Sequence, residues 1–258
     1  MKRLFKSEVQ KRLDMFFKDK LEVITEEDIS HLPVIVRKYL NHVGCTGREK
    51  VWNFRAEFQG GIRGKSTEPF MKLKSVQYNF FENPVRIFYI VAKKSGIPAK
   101  GIHIYKNAKA IMKIKILGLI PVVDAKGFEM DKGETVTVFN DMCLMAPASL
   151  IDRNIIWTEV DANTVKGTFT NNNITISALL FFDNEGRLLN FISSDRYETT
   201  DGKSYSNYPW ETPVLEYKRF NGYNLPSKAK LIYKHPDEDF CYGEFELVNI
   251  EYNCKDLK

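Results

Sequence analysis

The sequence lacks the residue patterns of a zinc site, a redox pair or a membrane span. Its four cysteines give no C-x-x-C spacing and have no neighbouring histidine ligands: Cys45, Cys143, Cys241 and Cys254. Reduced, mostly buried thiols are therefore expected, and no metal site or cofactor is predicted. No run approaches the roughly 18 apolar residues of a transmembrane helix. The first residues lead into charge rather than into the apolar part of a signal peptide, so a cytoplasmic location is predicted.

Catalytic spacings are missing as well. The stretch FNDMCLMAPASLI at 139–151 contains Cys143 and Ser149, but there is no G-x-S-x-G motif and no nearby basic residue to activate the thiol. We interpret Cys143 as a small buried hydrophobe and predict no catalytic residue. One alternative stays open, in which a distant His103 or His235 approaches either residue in space and assembles a hydrolase.

The net charge of +5 is concentrated at the N-terminus. Residues 1–20 hold seven basic and three acidic side chains, which gives +4, so the rest of the chain is almost neutral. An almost neutral body argues against a nucleic-acid partner.

The basic segment carries an apolar stripe, which consists of Phe5, Val9, Leu13 and Phe16. Their spacing predicts a basic amphipathic helix within residues 1–24. Two interpretations are open: the stripe docks on the protein's own sheet, or residues 1–20 make a weak contact with an anionic membrane surface and place the protein at the membrane periphery. We favour docking, because it is the commoner fate of such a stripe.

A second helical pattern follows in TEEDISHLPVIVRKYLNHVG. Thr25 with Asp28 indicates a capping pair, Pro33 suits a first helical position, and Gly44 can end the helix. The apolar stripe of this helix is Val36, Leu40 and Val43.

From Lys50 onward the period of the apolar residues changes to two, which predicts strands covered on one face. The strand-like runs after KVWNFRAEF are 67–81, 85–93, 100–106 and 109–117. Asp-Gly at 201–202 and Asn-Gly at 221–222 then indicate tight hairpins. We predict one α+β domain over residues 25–258, with a long, curved, mainly antiparallel sheet of about ten strands and a few short helices on its concave side.

Two segments are candidates for a binding site. Residues 116–123 are apolar on both faces and should be covered on both sides, either by helices or as the lining of an apolar cavity. A hairpin at 201–202 would bring Arg196 opposite Trp210 and Glu211. Arg196 would then either pair with Glu211 or lie over Trp210 and hold an anionic headgroup, and we favour the ion pair.

Several segments in order resemble a bacterial family of unknown function. They are LPVIVRKYLNHVG at 32–44, LGLIPVVDAKG at 117–127, DRYETTDGK at 195–203, PWETPVLEYKRFNGYNLPSKAKLIY at 209–233 and FELVNIEY at 245–252. The family is DUF6544, also catalogued as DUF6920, and the resemblance implies no assigned activity. The alternation in YKRFNGYNLPSKAKL is also similar to the late strands of LolA-type and LolB-type lipoprotein carriers. That resemblance implies a half-barrel sheet around helices and an apolar cavity.

The combined pattern predicts a non-catalytic protein that binds or carries an apolar, lipid-like small molecule, with the hydrolase as the alternative. The expected ligand-binding residues are Phe80, Phe88, Ile116, Leu119, Phe139 and Met142 around one cavity, with Arg196 and Trp210 at its mouth.

Overall fold

One large antiparallel sheet is the frame of the protein. The computed structural model describes residues 1–15, 22–94 and 96–258. Within these residues fourteen strands form one sheet, in which neighbouring strands pair antiparallel, and a two-stranded ladder lies beside it. The longest helix contacts strands from both halves of the sheet, so the sheet curls around it. The predicted curved, mainly antiparallel sheet is confirmed.

The strands fall into two groups along the chain. The first group is β1 Asn53–Ile62, β2 Met71–Phe80, β3 Val85–Lys94, β4 Ile97–Lys106, β5 Lys109–Ile116 and β6 Ile120–Lys126. The second is β7 Ile155–Asp161, β8 Thr164–Asn171, β9 Ile174–Phe182, β10 Leu188–Ser193, β11 Tyr197–Glu198, β12 Ser206–Asn207, β13 Trp210–Glu211, β14 Val214–Phe220, β15 Tyr223–Lys234 and β16 Asp239–Tyr252.

The last strand joins the two groups. The order across the sheet is β6-β5-β4-β3-β2-β1-β16-β15-β13-β10-β9-β8-β7, with β14 paired to β15 outside this path. β16 lies between β1 and β15, and its Tyr252 is opposite Phe54 near the start of β1. The described core therefore depends on a pairing between distant parts of the chain.

The helix α4, Phe128–Met145, occupies the concave side of the sheet. It buries almost all of its side chains, including polar ones, because the curled sheet surrounds it. In the sequence, Val136, Phe139 and Cys143 recur at spacings of three and four, which predicts only a short helix there. The observed helix is longer than this apolar pattern, because polar residues on either side of it are also helical and buried.

The N-terminal helix α1, Lys2–Met15, docks on the convex side of the sheet. Phe5, Val9 and Leu13 are buried there, and the Phe5 ring lies 5.8 Å from the Tyr89 ring. The stripe is therefore covered by the sheet rather than left free for a membrane. Phe16 falls outside the described residues, as do 17–21 of the predicted 1–24 segment.

The second helical pattern forms two helices, α2 Glu26–Ile29 and α3 Val34–Val43. Thr25 and Asp28 form the predicted capping box, and Gly44 ends α3 with a left-handed φ of 85°. Pro33 lies at the N-cap of α3 and separates the two helices, since proline lacks the N–H that a continuous helix would need.

The segment 116–123 is not covered on both sides, which corrects the expectation. It forms the end of the β5–β6 hairpin, and β6 is the edge strand of the sheet. Val123 is buried, whereas the exposed fractions are 55% for Leu117, 79% for Leu119 and 57% for Ile120. A hairpin end at a sheet edge has no neighbouring element to cover it. The apolar pattern of the sequence does not indicate that this hairpin lies at the edge of the sheet.

Candidate functional site

The concave side of the sheet holds a cavity of about 400 Å³ beside α4. Its apolar lining comes from both halves of the sheet: Phe58, Ile62, Met71, Phe88, Ile90, Met112, Ile114, Leu231, Phe240, Phe245 and Leu247. Apolar cavities with a few convergent polar groups are the usual form of small-molecule sites.

The alternation of side chains along each strand decides which of them face the cavity. On β3, Phe88 and Ile90 face the cavity, while Ile87 and Tyr89 belong to the cluster that packs against α1. Neighbouring strands bring Ile90 opposite Gly101. A Cβ at Gly101 would lie 2.7 Å from the Ile90 Cγ2, so glycine at this position leaves room for the Ile90 side chain.

A buried network of charged and polar groups borders the apolar part of the cavity. The Arg86 Nε donates to the Asp141 Oδ2 at 2.8 Å, and its Nη1 donates to the Glu134 Oε2 at 3.1 Å. Gln77 and Asn79 each donate to the same Asp141 oxygen at 2.9 Å. One guanidinium therefore holds two carboxylates of α4 against the sheet.

The two carboxylates have opposite pKa shifts. Burial would raise the pKa of Glu134, but the attraction of Arg86 and the hydrogen bond with His103 outweigh burial and lower this pKa to about 2. Burial raises the pKa of Asp141 by more than Arg86, Asn79 and Gln77 lower it. The surroundings of Glu134 thus favour its ionised form.

A second arginine lies among aromatic rings at the cavity. The guanidinium carbon of Arg196 is 4.5 Å from the Trp210 ring centre and 5.5 Å from that of Tyr233. Its Nε donates to the Thr137 Oγ1 at 3.2 Å, and its Nη1 donates to the Tyr233 hydroxyl. No carboxylate lies within 4.0 Å of Arg196 among the described residues, so no salt bridge neutralises this cation.

One hydroxyl of the lining has no partner. Ser227 is 1% exposed, and its Oγ makes no hydrogen bond to any described residue. A buried unpaired hydroxyl costs free energy, which a bound polar atom would offset.

The structure brings three of the eight predicted ligand-binding residues to the cavity. Phe88, Arg196 and Trp210 line it. The hairpin formed by β11 and β12 does bring Arg196 near Trp210. The favoured ion pair with Glu211 is corrected, because Glu211 instead accepts from Asn190 and lies near Lys234.

The other five predicted residues lie elsewhere. Phe80 faces the convex side, where Arg12 lies over its ring, because alternation puts even-numbered residues of β2 on that face. Phe139 is buried in the main core and stacks on Phe169 at 5.7 Å. Met142 belongs to the same core, and Ile116 and Leu119 lie at the exposed end of the β5–β6 hairpin.

The sequence analysis missed the network of Arg86, Glu134 and Asp141. A signal was present, since two acidic residues seven positions apart on a largely apolar helix lie on one face. The aromatic rings of Tyr233 and Tyr242 around Arg196 could not be found in this way, because they come from distant strands.

Both candidate nucleophiles, Cys143 and Ser149, are buried. Cys143 is fully buried, and burial raises the pKa of its thiol well above the ordinary value. The Ser149 hydroxyl donates to the Ala146 carbonyl at 2.7 Å. Within the described residues neither is hydrogen-bonded to a histidine, since His103 contacts Glu134 and His235 contacts Glu198.

Among the described residues, no group of three or more His, Cys, Asp or Glu side chains is placed to hold a metal ion. None of the helices there has the length and apolar character that crossing a membrane requires.

The model of a family of unknown function, DUF6544, matches residues 22–245. The chain belongs to this family. The match includes strands β1 to β15 and the first half of β16. No curated protein matches the chain in sequence.

Solved structures are similar at low identity. A DUF1329 family protein from Desulfovibrio piger has a TM-score of 0.49 at 10% identity, covering 90% of this chain and 94% of that one. A LolA superfamily protein from Nitrosomonas europaea has a TM-score of 0.45 at 8% identity, covering 92% and 96%. A putative outer membrane lipoprotein-sorting protein domain from Vibrio parahaemolyticus has a TM-score of 0.43 at 9% identity, covering 85% of this chain and 91% of that one.

Proposed function

We propose that this DUF6544 protein binds an apolar, lipid-like small molecule in the cavity on the concave side of its sheet. The observation that carries the proposal is the cavity of about 400 Å³, lined by aliphatic and aromatic side chains from both halves of the sheet. Burial of a ligand's apolar surface against such a lining is favourable, because it removes that surface from water.

The polar groups at the cavity favour a ligand with an anionic headgroup. Arg86 is already neutralised by Asp141 and Glu134, whereas Arg196 has hydroxyl partners and aromatic neighbours but no salt bridge within the described part of the chain. A carboxylate would pair with Arg196 and could accept from the Ser227 hydroxyl.

A fluorescent fatty-acid probe tests the binding. Ala229 lines the cavity, so Ala229→Trp should fill part of it and weaken probe binding by about tenfold or more. The matched control is Ile156→Trp on the exposed face of the edge strand β7, which should bind the probe as the unchanged protein does. No probe binding by the unchanged protein, or equal binding by both variants, would refute the proposal.

The headgroup is tested separately with a fatty acid and the alcohol of the same chain length. Arg196→Met removes the cation and keeps an apolar side chain. It should weaken binding of the acid by about tenfold and leave binding of the alcohol nearly unchanged. An equal loss for both ligands would show that Arg196 only shapes the cavity.

A further inference from the structure

The convex side of the sheet carries a row of lysines near the β3–β4 and β5–β6 hairpins. The row consists of Lys72, Lys74, Lys93, Lys100 and Lys115, which strand alternation places on the face opposite the cavity. None of the five has a carboxylate within 4.0 Å among the described residues.

The register sets these lysines against one another. Lys72 lies directly opposite Lys93, and Lys100 lies directly opposite Lys115. Like charges in directly opposite positions destabilise a sheet. The protein therefore maintains two repulsive pairs on one face, which an anionic partner would relieve.

Apolar side chains project beside the lysine row. At the end of the β5–β6 hairpin Leu117 and Leu119 are 55% and 79% exposed. This hairpin end lies next to the start of β4, because the Leu117 N–H donates to the Pro98 carbonyl at 2.9 Å. Exposed aliphatic side chains beside a basic face are the combination that an interfacial membrane contact uses.

The N-terminal helix extends the same basic surface. Phe5 lies against Tyr89, while Arg12 lies over Phe80 and donates to the Asn83 carbonyl, so the start of α1 points toward the hairpin ends. The exposed side chains there include the cations Lys2, Arg3 and Lys6.

We propose that this face docks on an anionic lipid bilayer, with Leu117 and Leu119 at the hairpin end entering the interface and the lysine row contacting the headgroups. A polyanion such as RNA would use the lysines but has no use for the exposed aliphatic hairpin ends. An anionic bilayer matches both features, because headgroups attract lysines and the acyl boundary accepts aliphatic side chains.

Sedimentation with vesicles of phosphatidylcholine, with and without phosphatidylserine, tests the surface. Lys93→Glu with Lys100→Glu puts each new carboxylate opposite a lysine, so the variant should fold at least as stably as the unchanged protein. Its binding to the anionic vesicles should fall by about 100-fold or more. The matched control is Lys166→Glu with Lys255→Glu. Both lysines are exposed and lie outside the row, and the two substitutions change the net charge by the same amount.

Leu117→Asp with Leu119→Asp tests the apolar part. It should weaken vesicle binding by about tenfold or more and leave binding of RNA and of the fatty-acid probe in solution unchanged. Ala229→Trp should have the opposite effect: it should weaken binding of the probe and leave binding to the vesicles unchanged. The proposal for the docking surface and the proposal for the cavity can therefore be refuted separately.

Absence of binding to anionic vesicles, or equal binding by the lysine variant and its control, would overturn the proposal. A loss on lysine reversal without any loss on leucine replacement would assign the surface to a soluble polyanion instead.

Discussion

At the scale of single residues, Arg86 connects two buried carboxylates of the described core. It contacts the carboxylates of Asp141 and Glu134, and all three side chains are less than a tenth exposed. Buried ions are costly unless paired, so the contribution of each depends on the others remaining in place. A network of this kind fixes the position of α4 against β2 and β3.

Removal of Arg86 should therefore be strongly destabilising. Arg86→Ala leaves two buried carboxylates without their cation, and we expect the free energy of unfolding to fall by about 3–5 kcal/mol. Urea unfolding measures this loss. Lys166→Ala on an exposed strand position serves as the control, with a change within about 0.5 kcal/mol. A similar small change for Arg86→Ala would mean that water, rather than the protein, solvates the two carboxylates.

The pH dependence of stability should identify Glu134. Its folded pKa of about 2 lies below the ordinary value of 4.5, so its ionised form stabilises the fold above pH 4.5. This contribution is lost as the pH falls through the folded pKa. The difference in the free energy of unfolding between the unchanged protein and Glu134→Gln should thus shrink from pH 4.5 toward pH 2. A difference that stays constant over this range would contradict the assignment.

Sequence alone identified three of the cavity residues, two of them from a local signal. Arg196 and Trp210 flank a recognisable Asp-Gly hairpin, whereas Phe88 lies on a strand that is apolar on both faces, so alternation did not determine its side. Phe80 failed for a physical reason: this strand has apolar residues on both faces, so periodicity cannot tell which face lies toward the cavity.

At the scale of secondary-structure elements, α1 follows the favoured interpretation and the β5–β6 hairpin does not. The apolar stripe of α1 is buried against the sheet, while the hairpin expected to be covered is exposed. Amphipathicity shows that a helix has an apolar face, but only the tertiary structure decides what covers that face.

Docking of α1 predicts a clear contrast between two neighbouring positions. Val9 is fully buried between α1 and the sheet and Ser7 is exposed, so Val9→Asp should lower the free energy of unfolding by about 3 kcal/mol and Ser7→Asp by less than about 0.5 kcal/mol. Urea unfolding of both variants gives the comparison. Equal stability would mean that α1 does not contribute its stripe to the fold.

Caps and turns were the elements that sequence predicted best. The capping box of Thr25 and Asp28 and the left-handed Gly44 depend only on local chemistry, and both are present. The length of α4 was missed because its polar residues are satisfied by tertiary partners, such as the Asn140 amide that donates to the Thr212 hydroxyl at 2.7 Å.

At the scale of the whole molecule, β16 makes the two strand groups one sheet. Its central position between β1 and β15 could not be read from the sequence, because the pairing of Phe54 with Tyr252 joins segments far apart in the chain. Alternation gave the strand-like character of this segment, but it contains no information about which strand is its neighbour.

Removal of residues 239–258 should therefore abolish cooperative folding, because it removes a central strand and not an edge strand. Without β16, the backbone groups of β1 and β15 lose their partners and the core loses the buried side chains of Leu247 and Ile250. Near-ultraviolet circular dichroism and urea unfolding should show no cooperative transition in this truncated chain. Removal of only 255–258, which follow β16, is the control and should keep the transition. If the longer truncation retained native circular dichroism and a sharp transition, the two strand groups would be independent folding units, and the cavity between them would not require one continuous sheet.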